Sequence, residues 1–146
     1  ILFLGCVEFS TENEGLSIIN FQYCSDIRGS EDYDTHEKTY TEDERIFMYF
    51  ELKGFKTRDD DSAQIYQTLT IIAPNGTAFI TDGVVLDNYV IIDQSFDATG
   101  MNFIWFDNHL PMINASWPKG TYDVTIYVED KVASRDVSYT TDFIIT

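Results

Sequence analysis

Apolar and polar residues alternate with period two through much of this chain, most clearly in its last third. In Thr121 to Glu129, Tyr122, Val124, Ile126 and Val128 alternate with Asp123, Thr125, Tyr127 and Glu129. In Val137 to Ile145, the residues Val137, Tyr139, Thr141, Phe143 and Ile145 share one face. Successive side chains of a strand point to opposite faces of a sheet, so this pattern predicts two half-buried antiparallel strands. Ile46 to Phe55 repeats it, with Ile46, Met48, Phe50 and Leu52 on a core face. Phe47, Tyr49, Glu51 and Lys53 form the other face, aromatic and partly wet. Further strands are predicted at Leu16 to Tyr23, Ile65 to Ile72, Thr77 to Thr81, Val84 to Leu86, Tyr89 to Ile92 and Asn102 to Phe106. Pro74-Asn75-Gly76 lies between two of them. Pro presets φ and Asn-Gly tolerates positive φ, which predicts a hairpin there.

No stretch sustains a helical period. About seven to nine short strands punctuated by turns imply one all-β domain, and unequal strands and loops favour an antiparallel sandwich over a barrel. The domain is expected over residues 16–146, preceded by an apolar strand or tail at 1–15. Within the domain, 25–45 breaks the pattern. It carries Asp26, Glu31, Asp32, Asp34, Glu37, Glu42, Asp43 and Glu44 with little apolar content. A structureless connection of that length is uncommon inside a compact domain and is usually functional or mobile.

The opening residues Ile1 to Phe9 are almost wholly apolar. Ile1, Phe3, Val7 and Phe9 share one face of an extended chain, and Leu2, Leu4 and Cys6 the other. Apolar character on both faces suits a strand buried between two sheets. The segment is too short to cross a bilayer, which takes roughly 18 residues. It reads as a strand donated to a neighbouring copy, as the remnant of an export signal, or as the first strand of its own sheet. The first reading is preferred here.

Charge narrows the partners. Twenty-five acidic residues against nine basic ones give a formal net charge of −16. Nucleic acid and anionic membrane surfaces demand positive charge and are excluded on that ground. An extracellular setting fits the acidity, and so do two glycosylation sequons, Asn75-Gly76-Thr77 and Asn114-Ala115-Ser116, both in expected loops. Two cysteines, Cys6 and Cys24, allow one disulfide in such a setting. No resident cofactor is implied. Calcium is the one ion the composition admits, because it takes six to eight oxygens in flexible geometry. Asp59, Asp60 and Asp61, with Glu31, Asp32 and Asp34, are the candidate ligands, weighed against a plain solvated charge run. Catalysis has little footing: the two histidines, His36 and His109, lie in polar stretches, and no nucleophile, phosphate-loop or dinucleotide motif occurs.

Two resemblances add to this reading. Pro118, Gly120 and Tyr122, an alternating strand, the Asp130-Lys131 turn and a final strand with Phe143 resemble the last two strands of immunoglobulin-like modules in prokaryotic, particularly archaeal, exported surface proteins. The Pro74 to Gly76 turn matches those modules too, and the similarity runs from Ile46 onward. It implies an immunoglobulin-like antiparallel sandwich and no activity, with Tyr122 as the tyrosine of a tyrosine corner. Separately, Ile1 to Cys6 resembles a lipobox, which implies a lipid anchor at Cys6 with the preceding residues removed on processing. The function expected is therefore a secreted, cell-surface structural subunit that builds a homopolymeric filament by donating its N-terminal strand. The alternative is a lipid-anchored surface lipoprotein with a binding or adhesion domain.

Overall fold

The computed structural model describes residues 9–11 and 15–146. They form an all-β sandwich. The strands are β1 (Phe9–Thr11), β2 (Ser17–Gly29), β3 (Asp32–Thr35), β4 (Thr39–Tyr40), β5 (Phe47–Lys53) and β6 (Ser62–Ile72), followed by β7 (Ile80–Thr81), β8 (Val84–Val85), β9 (Tyr89–Asp97), β10 (Phe103–His109), β11 (Gly120–Asp130) and β12 (Arg135–Ile145). One sheet has the order β1-β12-β11-β6-β9, with β4 added to β12. The facing sheet has the order β10-β5-β2-β3, and β7 and β8 make a separate small hairpin. Seven strands, β2, β5, β6 and β9 to β12, carry the long pairings.

The spine of the larger sheet is the hairpin of β11 and β12, in register from Gly120 opposite Ile145 to Asp130 opposite Arg135. Its inward side chains, Tyr122, Val124, Ile126 and Val128, are buried as their alternation predicts. Asp130 closes the end: its Oδ1 accepts the amides of Val132 at 3.0 Å and Ala133 at 3.3 Å, and its Oδ2 that of Lys56 at 2.8 Å. Tyr122 stacks on Phe143 at 4.9 Å and donates its hydroxyl to the Pro118 carbonyl at 2.5 Å. That is the tyrosine-corner bond, made to a carbonyl a few residues upstream. In the facing sheet Met48, Phe50 and Leu52 of β5 are fully buried, and Phe50 stacks on Phe106 of β10 at 4.5 Å.

Three expectations need correction. Residues 25–45 are not a structureless loop. β2 runs on to Gly29 and turns through Glu31 (φ 57°) into β3, with register shifts between Cys24 and Asp26 and between Ile27 and Gly29. The acids are compatible with a hairpin because Arg28 sits among them, contacting Asp26 at 3.1 Å, Asp32 at 3.1 Å and Asp34 at 2.8 Å. Second, the Pro74 to Gly76 turn forms, with Gly76 at φ 86°, but Thr77 to Thr81 does not become the partner strand of β6. Only Ala78 bridges back, to Ile72, because β6 is already flanked by β11 and β9. Third, the outward face of β5 is not wet at its centre: Tyr49 is fully buried and Glu51 is 4% exposed. One glycine is required by contact as well as by φ: a Cβ on Gly54 (φ 87°) would stand 2.1 Å from the Gly15 carbonyl oxygen.

Candidate functional site

The two sheets open toward β9 and β10. β9 ends the larger sheet and β10 the smaller one, and among the described residues no strand pairs with the outer side of either. Between them runs a groove of about 280 Å³ lined by Ile65, Ile92, Gln94, Phe96, Ile104, Trp105 and Phe106. The alternation of β10 aims Ile104 and Phe106 at the core, since they pair with Leu52 and Phe50 of β5. On β9, Phe96 and Gln94 face inward opposite Ala63 and Ile65. A bulge then inserts Ile91 between Val90, paired with Thr68, and Ile92, paired with Gln67. Edge strands usually protect themselves with charge, proline or brevity. β9 is instead nine residues long, with Tyr89, Val90 and Ile91 exposed by 42%, 45% and 36%. Its charges, Asp93 and Asp97, come only after this apolar stretch. An exposed apolar edge with unpaired backbone groups is a template for strand addition.

Behind the groove the sheets are joined by a reciprocal amide pair. Gln67 Nε2 donates to Asn108 Oδ1 at 2.7 Å, and Asn108 Nδ2 donates to Gln67 Oε1 at 3.3 Å. Both are buried, so the bonds meet a requirement that neither amide could satisfy with water. Each lies two residues along its strand from a groove residue, Ile65 on β6 and Phe106 on β10.

The N-terminal strand emerges at the far side. Phe9, Ser10 and Thr11 pair antiparallel with Thr140, Tyr139 and Ser138 of β12, in their own chain's sheet, so Phe9, expected as part of the donated strand, belongs instead to this sheet. Ile1, Leu2, Phe3, Leu4, Cys6 and Val7 lie outside the described residues, and so does the Cys6 half of the expected disulfide. Cys24 is buried with a free thiol that donates to the Gln22 carbonyl at 3.6 Å. Burial pushes that thiol up to about 11, against the opposing effect of a backbone hydrogen bond from Tyr49.

The carboxylates expected to hold calcium are not gathered: among the described residues no group of three or more Asp, Glu, His or Cys is placed to hold a metal. Asp32 and Asp34 are committed to Arg28, whose guanidinium holds the Asp34 carboxyl below its usual range. Glu31 stands at the turn with its amide on Tyr49 Oη. Asp59, Asp60 and Asp61 occupy a different turn, where Asp60 accepts the Ser62 amide at 3.0 Å. The histidines both contact carboxylates: His36 Nε2 lies 2.9 Å from Glu44 with its ring on Tyr40, and His109 Nδ1 lies 3.0 Å from Asp107. The sequons behave alike. Asn75 Oδ1 accepts the amide and hydroxyl of Thr77, and Asn114 Oδ1 those of Ser116. The fold brings both exposed asparagines to one cleft of about 350 Å³, beside Phe79 and Trp117.

The sequence predicts β9 as a strand but not as an exposed edge. The available signal was its four consecutive apolar residues, Tyr89 to Ile92, where a half-buried strand would alternate.

Neither a protein-family model nor a curated protein matches the chain. Among solved structures, the crystal structure of the C-terminal domain of wzt superposes with a TM-score of 0.51 at 10% sequence identity. The alignment covers 95% of this chain and 78% of that one. At this identity the likeness concerns architecture alone: the chain shares the all-β fold of that domain.

Proposed function

We propose that the protein is an extracellular structural subunit, and that copies polymerise when the apolar N-terminal segment of one enters the β9–β10 groove of the next. The observation that supports this reading is that β1, which follows the apolar segment in the chain, and β9 are opposite ends of one sheet. β1 and β9 are the two ends of the order β1-β12-β11-β6-β9. Four strand spacings of about 4.8 Å separate them. A contact from one edge to the opposite edge of another copy is head-to-tail, and where its rotation does not close a ring it propagates into a fibre.

The chemistry is complementary as well. A strand entering the groove meets apolar side chains on both sides, and residues 1–7 offer apolar side chains on both faces. The unpaired backbone of β9 supplies main-chain hydrogen bonds. Burying three side chains such as Leu2, Phe3 and Leu4 contributes about 5–9 kcal/mol before ordering costs. The acidic surface and the exposed sequons support a secreted, cell-surface location, and the lipobox-like Leu4-Gly5-Cys6 supports anchoring by lipid as the alternative use of the same segment.

The test uses the full chain. Ile91→Lys places a charge on the exposed edge without touching the core. The wild type should sediment as long assemblies and the variant as monomers of equal thermal stability. Assembly of the variant at the wild-type concentration would overturn the reading.

A further inference from the structure

The outer face of the smaller sheet is not covered by any other layer among the described residues, yet it does not have the composition of a solvated face. Outward from β10 point Trp105, Asp107 and His109, and from β5 Phe47, Tyr49 and Glu51, as their register pairs them. The hairpin of β2 and β3 folds back over this face. Although β2 runs between β3 and β5, the ring of Tyr33 lies on that of Tyr49 at 4.4 Å, and the Glu31 amide reaches Tyr49 Oη at 3.0 Å. On its other side Tyr49 has Trp105, nearly parallel at 6.4 Å and 15°. The result is a shelf: Tyr33 is the wall, Tyr49 the inner floor, and Trp105 the outer floor, 40% exposed.

What fixes the shelf is costly. Glu51 is a buried carboxylate whose hydrogen bonds come from Tyr49 Oη at 2.5 Å and Asn20 Nδ2 at 2.8 Å, not from a cation. Burying a carboxylate on neutral partners is unfavourable relative to an apolar residue of similar size. Asn20 stands in the bulge between Ile19 and Gln22, in the left-handed conformation (φ 53°). Violations of this kind are expected where function requires them. Here they hold an aromatic ring at a set orientation next to an exposed indole.

We propose that this shelf binds a neutral polysaccharide. A pyranose presents a flat face of C–H groups, which lies on an exposed aromatic ring, and a rim of hydroxyls that donate to oxygen acceptors. Trp105 and Tyr33 supply the rings, and Asp107 and Gln22 stand beside Tyr49 in register to accept. An acidic polysaccharide is disfavoured by the −16 net charge and by Asp107 at the site. A cationic peptide is disfavoured because Glu51 is buried beneath Tyr49 and the hairpin carboxylates Asp26, Asp32 and Asp34 are already paired with Arg28. Trp105 also borders the β9–β10 groove of the assembly reading, so the binding measurements are repeated on Ile91→Lys protein, in which strand donation is blocked and glycan binding should persist.

The experiment exploits the two tryptophans, of which Trp117 is 6% exposed. Full-length protein is run through native gels cast with a β-glucan, an α-glucan, a mannan or a galactan, and titrated with the same polymers while tryptophan emission is recorded. At least one polymer should retard migration and shift the emission to the blue. Trp105→Ala should weaken that binding by about tenfold or more at an unchanged melting temperature. Trp105→Phe should retain part of the binding and lose the emission change. Absence of retardation with all four polymers, equal retardation of Trp105→Ala, or binding of oligolysine in place of any glycan would overturn the proposal.

Discussion

The amide pair behind the groove gives the sharpest test of how the two sheets are held. Gln67 is fully buried and Asn108 is 3% exposed, and they exchange bonds of 2.7 and 3.3 Å across the sandwich. Asn108→Leu removes one partner at nearly constant volume and strands the Gln67 amide, whose remaining bond, to the Thr68 carbonyl, is long at 3.4 Å. A buried polar group without a partner costs about 1–3 kcal/mol. With a donor and an acceptor affected, Asn108→Leu should cost about 2–4 kcal/mol, and Gln67→Met a similar amount. The double variant replaces both ends by apolar groups and should lie within about 1 kcal/mol of wild type. The single costs sum to at least about 4 kcal/mol, so a coupling energy of about 3 kcal/mol or more is expected, against near-additivity for independent sites. The assay is urea unfolding of all four proteins, with stability read from the midpoint at constant slope. Single variants costing under about 0.5 kcal/mol, or a double variant equal to the sum of the singles, would refute the reasoning.

Other outcomes follow from particular contacts. Asp130→Ala removes the acceptor of three backbone amides at a fully buried position and should destabilise by about 3–5 kcal/mol in the same assay. Burial holds Tyr49 and Tyr122 up at about 12 against an ordinary 10.0, so both stay neutral in the fold while an unfolded chain ionises. The stability they contribute is complete below pH 10 and is lost as pH rises toward 12; an alkaline titration at 295 nm should show their ionisation coinciding with unfolding. Under reducing conditions Cys24, held near 11, should resist iodoacetamide at pH 8 in the native protein and react once urea unfolds it.

Much of the fold was legible because alternation is a local signal. β11 and β12 show it without interruption, and Tyr122 and Asp130 stand where a strand begins and a turn follows. Residues 25–45 misled for an electrostatic reason. Asp32 and Asp34 look like a solvated run until Arg28, on the partner strand, is placed among them. The burial of Tyr49 and Glu51 was hidden because it depends on the β2–β3 hairpin folding over β2, a contact made by residues distant in sequence. The edge position of β9 was hidden for a related reason. Its apolar residues are visible in the chain, but whether such a run is covered or exposed depends on sheet order, which places β9 last. The apolar start was legible as chemistry and not as place, since a strand apolar on both faces has the same sequence whichever sheet receives it.

Assembly by strand donation is tested most directly by asking which copy the N-terminal segment touches. Protein carrying a photoreactive benzoylphenylalanine at Phe3 is prepared in ordinary and ¹⁵N-labelled form, mixed in equal amounts before assembly, irradiated, and digested for mass spectrometry. The account predicts cross-links from the Phe3 peptide to peptides of β9 and β10, with half of them joining ordinary to labelled chains. Cross-links confined to chains of one isotope, or directed to β12 and its neighbours, would contradict it.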